Sequence, residues 1–342
     1  MLTVFMTGGN GFLGASLVLR LLAGGAHVRI LMRPGARAPL LQQLPVEQVT
    51  GDLLAPDTYR ASLMGCDVLF HVAACYTHDP NQIAAMEAVN VEGTRQVLEA
   101  ALEAGVSRLV HTSTIGTIGQ PGDGSLATED TPFNLPHPTA YVRSKLEGER
   151  IAEALAQSGA PVVIVHPTAM LGAGDWRPSA SGRRVLDVLA GASLRYPTGG
   201  INWCPVADVA QGMIGAAAVG KPGRHYILGH GDGNLGREEF TRLITQAAAL
   251  PAVPEYRQLE YRQSESAALA SRVRSLLHRL ATPASPKYSW ASSAGAAPDR
   301  LTCSPRRAVT ELDMPQSSLL AAAQEMVAWY REHGLVASKA GL

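Results

Sequence analysis

Thr7-Gly8-Gly9-Asn10-Gly11-Phe12-Leu13-Gly14 places four glycines in seven positions, directly after the apolar run Leu2 to Met6 and at the start of a helical pattern, Phe12 to Ala23. Two overlapping patterns are satisfied, GxxGxxG through Gly8, Gly11 and Gly14, and GxGxxG through Gly9, Gly11 and Gly14. The glycines serve distinct physical ends. One permits a tight turn, one lets backbone approach a pyrophosphate, and one lets the helix pack closely on the strand, with the phosphates at the helix N-terminus. Glycine-rich letters also make simple turns. The position between an apolar strand and a helix selects the dinucleotide-binding reading.

Further along, short apolar runs bounded by Gly, Asp or Pro recur at Val28 to Met32, Val46 to Val49, Val68 to Val72, Leu109 to Thr112 and Val162 to Val165, with amphipathic stretches between them. In Val91 to Ala104, Glu92, Arg95, Glu99 and Glu103 recur at helical spacing opposite Val91, Val97, Leu98 and Leu102. Strands alternating with helices predict an α/β fold, a Rossmann doubly wound parallel sheet. After Pro167 the texture changes, and Gly, Pro, Ser and Arg accumulate up to Gly200. A strand at Tyr226-Ile227-Leu228, a helix from Asn234 to Leu250, a weakly periodic Ala-, Ser- and Pro-rich segment from Pro251 to Arg307, and a helix from Ser317 to His333 follow. The expected division is a Rossmann domain of residues 1–166 and 203–230, with a smaller, discontinuous substrate-binding part of residues 167–202 and 231–342.

Among 342 residues, Lys+Arg and Asp+Glu are equal at 29 each, so no net field draws nucleic acid or an anionic membrane. The 46% hydrophobic content can fill a sizeable core. Cys66, Cys75, Cys204 and Cys303 are scattered without metal-ligand or pairing spacing, which suits packing in a reducing compartment. His71, His78 and His111 stand apart from carboxylates at metal spacing, and no metal is assigned. With no signal segment and no long apolar run, the expectation is a cytoplasmic protein with a small-molecule substrate, and a homodimer as a candidate assembly.

The second strand bears on the cofactor. NAD sites commonly place an acid about 20 residues after the loop to grip a ribose hydroxyl, whereas the 2′-phosphate of NADP needs a cation. Here His27 to Arg33 holds no acid and ends on Arg33, whose guanidinium can take a phosphate in bidentate fashion; Arg37 is a second candidate. NADP is therefore expected, with NAD the alternative. Asp52, followed by Leu53, closes the third strand, where its carboxylate can bond an adenine amine or simply hold a turn.

Tyr141-Val142-Arg143-Ser144-Lys145 is a YxxxK pattern. On a helix, residues four apart share a face, so phenol and ammonium approach one cavity together. For tyrosine to exchange protons near pH 7, its pKa must fall from about 10 to about 7, roughly 4 kcal/mol. A nearby ammonium and an oxidised nicotinamide favour the phenolate.

Taken in order, the glycine loop, Asp52, His71-Val72-Ala73-Ala74, Asn90 in Val89-Asn90-Val91-Glu92-Gly93-Thr94, Ser113-Thr114, Tyr141/Lys145 and His166-Pro167-Thr168 resemble the extended short-chain dehydrogenase/reductase superfamily. Within it, the chain looks most like the NAD-dependent epimerase/dehydratase family, near its dihydroflavonol-4-reductase-like and hopanoid-associated sugar-epimerase-like branches. The likeness covers about residues 1 to 240. It implies that Tyr141 is the general acid/base, that Lys145 holds the nicotinamide ribose, and that Thr114, with Ser113 beside it, supplies the polarising hydroxyl. The implied cofactor contacts are Gly8, Asn10, Gly11, Phe12, Leu13, Gly14, Arg33, Asp52, Leu53, Ala73, Ala74, Asn90, Ser113, Tyr141, Lys145, Pro167, Thr168, Ala169 and Met170.

Two departures stand out. His166 takes a place where such proteins often carry Arg or Asn before proline, and is expected to be buried structure. The 4,6-dehydratases carry acids directly after the catalytic hydroxyl, whereas Ile115 and Gly116 follow here, which disfavours sugar dehydration. Asp208 is expected to cap a helix. Three functions compete: an NADP-dependent carbonyl reductase; a nucleoside-diphosphate-sugar epimerase using bound NAD, with Arg177, Arg183 and Arg184 able to clamp a diphosphate; and a non-catalytic dinucleotide sensor.

Overall fold

The strand β1 (Thr3–Thr7) is buried almost throughout, with Val4 and Met6 facing one layer of core and Phe5 the other. That continuous burial is what a strand covered by helices on both faces requires. In this computed structural model, which describes residues 1–249 and 298–336, β1 is an interior strand of a seven-stranded sheet. Its other strands are β2 (His27–Met32), β3 (Glu47–Thr50), β4 (Val68–His71), β5 (Arg108–Thr112), β6 (Val162–Pro167) and β9 (His225–Leu228). Their spatial order is β3-β2-β1-β4-β5-β6-β9, and every neighbouring pair is parallel. This is the doubly wound sheet expected from the alternation of runs and amphipathic stretches.

Helix α1 (Phe12–Ala23) and α7 (Val206–Val219) cover one face, burying Leu17, Val18, Leu21, Val209 and Met213. On the other face lie α4 (Gly93–Glu103) and α5 (Ala140–Gln157), with Val97, Leu98 and Ala152 in the core. The stretch read as one helix from Val91 is two pieces, because α4 is preceded by a π-helical turn over Ala88–Glu92. Such turns insert one extra residue and re-aim a side chain, often at functional sites. The residue re-aimed here is Asn90.

A second sheet, β10-β8-β7, joins β7 (Ala169–Leu171), β8 (Ile201–Pro205) and β10 (Asn234–Leu235). With α6 (Ala180–Leu189), α8 (Arg237–Ala247) and the terminal helix Leu319–Glu332 it encloses its own core, in which the Trp203 and Phe240 rings stack at 4.2 Å. The elements around this smaller sheet come from separate stretches of the sequence. Trp203 to Pro205, expected within the Rossmann part, pair with β7, while Ile201 and Asn202 of the same strand pair with β10; α7 and β9, which follow, return the chain to the main sheet. The helix expected from Asn234 begins at Arg237, because Asn234 and Leu235 pair with Asn202 and Ile201 as a strand. Its expected end at Leu250, and most of the weakly periodic Pro251 to Arg307, lie outside the described residues. Among the described residues no helix is long and apolar enough to cross a membrane.

Candidate active site

Parallel strands end on one edge of the sheet, and β1 and β4 lie side by side where the chain order reverses. Ligands of α/β sheets bind in that crevice. The glycine loop leaves β1 there. Gly8 has φ +73°, and a Cβ on it would lie 2.6 Å from the Ala73 backbone nitrogen. A Cβ on Gly14 would lie 2.1 Å from the Gly8 carbonyl oxygen, so α1 can pack this closely only without a side chain there. Gly11, the N-cap of α1, is different: a Cβ there would meet only the Gly8 oxygen, at 3.4 Å, and otherwise open space. With no acid in the first turn of α1 and no side chain capping it, the free N–H groups of the helix face a cradle that a diphosphate fits. Phe12 and Leu13 begin α1, Leu13 being buried.

Asn10 acts as a brace. Its Nδ2 donates to the Arg37 carbonyl at 3.2 Å, and its own carbonyl accepts from the Trp176 indole at 3.0 Å, which ties the loop to the smaller unit. Arg33 begins the turn that leaves β2, with the Ala36 N–H donating to its carbonyl at 3.0 Å. Its side chain is exposed, and among the described residues its guanidinium has no hydrogen-bond or ion-pair partner. Arg29, by contrast, is held by Glu47 at 2.9 Å and by the Ser62 and Met64 carbonyls. Asp52 accepts from the Leu54 N–H at 2.9 Å, a turn role that leaves its other oxygen open, and Leu53 is buried against Gly93.

A one-way chain of hydrogen bonds crosses the end of β1 and β4. Thr94 Oγ1 donates to the Asn90 carbonyl at 2.7 Å, so it accepts from His71 Nε2 at 2.9 Å. The other ring nitrogen, Nδ1, therefore accepts from Thr7 Oγ1 at 2.8 Å, and Thr7 Oγ1 accepts from the Ala73 N–H at 3.2 Å. Burial, helped by the Lys145 charge, pushes His71 down to about 3, so the neutral tautomer this chain needs is the stable one. The chain fixes the half-buried Ala73, with the exposed Ala74 after it, at the crevice. Asn90, expected among the cofactor contacts, is only 2% exposed and spends its amide elsewhere. It binds the Cys75 N–H at 2.7 Å, the Cys75 carbonyl at 2.9 Å and Ser144 Oγ at 2.9 Å. In this arrangement it positions the segment after β4 against α5.

Thr139 caps α5, accepting from the Val142 N–H at 3.3 Å, and so sets Tyr141 in the first turn. One turn later Lys145, 2% exposed, donates to the Thr112 carbonyl at 2.6 Å, at the end of β5. Burial lowers its pKa to about 8, against the raising effect of Glu149. The Tyr141 ring meets the edge of Tyr76 at 4.8 Å and 86°. Burial, and then Tyr76, push the Tyr141 phenol above its ordinary value. In the protein alone, the depression expected from Lys145 does not offset these two effects.

Thr114 and Ser113 separate cleanly. Ser113 is buried, and its hydroxyl donates to Glu149 in a short bond. Thr114 is only partly buried, opens the turn Ile115–Thr117, and accepts from the Gly116 N–H at 3.3 Å. Its own hydroxyl proton remains for a ligand. Beside this turn lies a cavity of about 400 Å³ whose lining mixes apolar Ile118, Phe133 and Leu135 with polar Gln120, Asn134 and Arg300. Pro167 ends β6; Thr168 is buried, its N–H bonded to the Leu228 carbonyl at 3.1 Å, and Ala169 and Met170 are half-buried at the start of β7.

Asp208 does not cap α7, which begins two residues earlier. Its carboxylate accepts from the Ser317 N–H at 2.6 Å and hydroxyl at 2.8 Å, fixing the entry to the terminal helix. Arg177 lies over the Trp176 ring, whereas Arg184 is half-buried and, among the described residues, hydrogen-bonded only to the Ala180 carbonyl of its own helix. Tyr76, Trp176, Glu149 and His225 were not singled out from sequence. Glu149 alone had a signal there, being four residues after Lys145 on the Tyr141 face of α5.

The model of the NAD dependent epimerase/dehydratase family matches residues 4–229. The chain belongs to this family. A putative dihydroflavonol 4-reductase of Synechocystis is 36% identical over 97% of this chain and 95% of its own length. Sterol demethylase protein B of Methylococcus capsulatus is 31% identical over 98% of this chain and all of its own. Among solved structures, gox2253 superposes with a TM-score of 0.79 at 30% identity, covering 98% of this chain and 99% of that one. A nucleoside-diphosphate-sugar epimerase from Pseudomonas aeruginosa shares the fold, with a TM-score of 0.74 at 22% identity over 98% and 99%. The family member is thus an enzyme, an NAD(P)-dependent reductase or dehydrogenase or else an epimerase, and the sensor alternative draws no support from these relatives.

Proposed function

We propose that this enzyme reduces a carbonyl of a partly apolar substrate with NADPH, using Tyr141 as the acid. The observation that carries this reading is the exposed, unpartnered Arg33 guanidinium at the end of a second strand that holds no acid. It suits a 2′-phosphate. The loop Gly8 to Gly14 would hold the pyrophosphate, and Lys145 the nicotinamide ribose. When bound, the reduced nicotinamide supplies the hydride.

The protein's own residues do the rest. Thr114 Oγ1, already accepting from Gly116, donates its proton to the carbonyl oxygen. Tyr141 delivers a proton to the same oxygen as it becomes alkoxide, which a phenol held above its ordinary pKa gives up only to so strong a base. The Lys145 ammonium, pinned at Thr112, offers its remaining protons to the ribose and the phenol. Substrate would enter over the cavity beside Gly116. The reductase names of the Synechocystis relative, and of a quinoline-oxide ketoreductase from Stigmatella aurantiaca 33% identical over 66% of this chain, favour the same direction.

One observation favours the epimerase: among the described residues Arg184 is half-buried with no ion pair to a carboxylate, Asp187 acting on it only at longer range, and a diphosphate would supply a direct partner. The experiment that decides is incubation of purified enzyme with NADPH and carbonyl panels, and with UDP-sugars and NAD, followed by product analysis. NADPH consumed in step with alcohol formed supports the reductase. A cytoplasmic location and a homodimer complete the proposed picture.

A further inference from the structure

Behind the Thr114 turn two imidazoles meet head on. His166 in β6 is fully buried and His225 in β9 largely so, and Nε2 of His166 lies 2.9 Å from Nδ1 of His225. The ring centroids are 5.2 Å apart and the planes inclined by only 20°. That separation equals the contact plus the two ring radii, so the nitrogens oppose each other along their lone-pair axes.

The neighbours assign the remaining protons. The Thr114 carbonyl, 3.2 Å from His166 Nδ1, can only accept, so Nδ1 carries hydrogen. Thr117 Oγ1 lies 3.2 Å from the same nitrogen and gives its own proton to the Thr114 carbonyl at 2.8 Å, so it too accepts. On the other ring, Glu153 Oε1 stands 3.2 Å from His225 Nε2 and requires an N–H there. Two neutral rings would then point lone pair at lone pair across 2.9 Å. One added proton converts that repulsion into a hydrogen bond.

The surroundings supply the compensating charge. Glu149, anchored by Ser113, places one oxygen 3.7 Å from His225 Nδ1 and the other 3.8 Å from His166 Nδ1. Burial pushes His166 below its ordinary value, although Glu149 opposes this, and the added proton lies in the 2.9 Å contact with Glu149 and Glu153 beside it to compensate its charge. His111 in β5 is buried and held neutral, well below its ordinary value. Arg307, from the helix Arg306–Glu311, touches only the His225 carbonyl, at 3.2 Å, and is ion-paired with Glu129 and Asp130. Glu149, His166 and His225 offer ligand atoms within 4.8 Å of one another. A metal between the two rings would need bonds of about 2.0–2.1 Å to each nitrogen, which the head-on contact does not admit.

We propose that His225 and His166 are positioning residues for Thr114, joined by a shared proton that locks the His166 tautomer and so holds the Thr114 backbone in place. The inference rests on the reading of Thr114 as the polarising hydroxyl. In ¹⁵N-histidine-labelled protein at neutral pH, one imidazolium paired with one neutral ring and a far-downfield N–H proton are expected. His225→Phe should abolish that proton and lower kcat about tenfold, leaving KM and NADPH affinity within about twofold. His166→Asn, whose amide still offers an N–H to the Thr114 carbonyl, should recover kcat to within about threefold of wild type. Loss of the shared proton should lower wild-type kcat at alkaline pH, and His166→Asn should abolish that fall. Two neutral rings, stoichiometric zinc by elemental analysis, or an unchanged kcat and pH profile in a folded His225→Phe would each overturn the proposal. A fully active Thr114→Ala would overturn the role given to Thr114 instead, and is told apart by survival of the downfield proton.

Discussion

Gly11→Ala and Gly14→Ala should separate cofactor binding from folding within one loop. At Gly14 the added carbon would lie 2.1 Å from the Gly8 oxygen and 2.8 Å from the Gly9 Cα, both backbone, so α1 must move off the sheet. Overpacking of this kind costs about 1–3 kcal/mol, and more where backbone must shift. At Gly11 the carbon meets only the Gly8 oxygen at 3.4 Å, and φ −86°, ψ 174° suits alanine. The entropic gain of Gly→Ala, about 0.4–1 kcal/mol, roughly offsets the poorer N-cap, so stability should stay within about 0.5 kcal/mol. The methyl instead stands where backbone must approach the pyrophosphate. Losing one charge-assisted hydrogen bond there, about 1.5–3 kcal/mol, weakens NADPH binding by about ten- to a hundredfold. Urea denaturation and calorimetric NADPH titration read the two effects. A Gly11→Ala protein with wild-type affinity, or a Gly14→Ala protein with wild-type stability, would refute the assignment of roles.

Arg33→Asp should reverse or flatten a preference of about ten- to a hundredfold for NADPH over NADH, measured by titration of each; equal affinities in the wild type would remove Arg33 from the site. Lys145→Met should impair both rate and cofactor affinity, and a variant with both unchanged would make the i, i+4 pair incidental. Lys145 also has a stability signature. Its folded pKa of about 8 lies below the ordinary 10.5, so between these values the unfolded chain holds a proton that the folded one has released. Stability should therefore rise as pH climbs through that window, by up to about 3 kcal/mol, and Lys145→Met should flatten the rise in denaturation curves. Asn90→Ala, which unties Cys75 from Ser144, should cost about 1–3 kcal/mol and lower kcat; an unchanged Tm would contradict its role as a brace.

Most of the chemistry that sequence revealed is local in the chain. Four glycines between a strand and a helix, and a tyrosine four residues before a lysine, carry their geometry with them. So does the empty acid position at the end of β2. What stayed hidden depends on the order of strands. His71 meets Thr7 across 64 residues and His166 meets His225 across 59, contacts that exist only because β4 lies beside β1 and β9 beside β6. Asn90 and Asp208 were visible as residues, but their roles were not. A π-helical turn aims the first into the protein, and the second reaches Ser317, 109 positions away. The resemblance placed Thr114 ahead of Ser113 as the polarising hydroxyl, but not the reason the two differ, which is that Glu149 occupies the serine.

Tyr141→Phe, assayed beside the wild type for NADPH oxidation with a carbonyl substrate and for NADPH binding by calorimetry, tests the proposed reaction most directly. The ring packs without its hydroxyl, so binding should persist within about twofold while turnover falls by at least about a hundredfold, and wild-type enzyme should consume NADPH in step with alcohol formed. Retained turnover in the variant, or wild-type substrate isomerisation with copurified dinucleotide and no net change in reduced-nicotinamide absorbance, would contradict it.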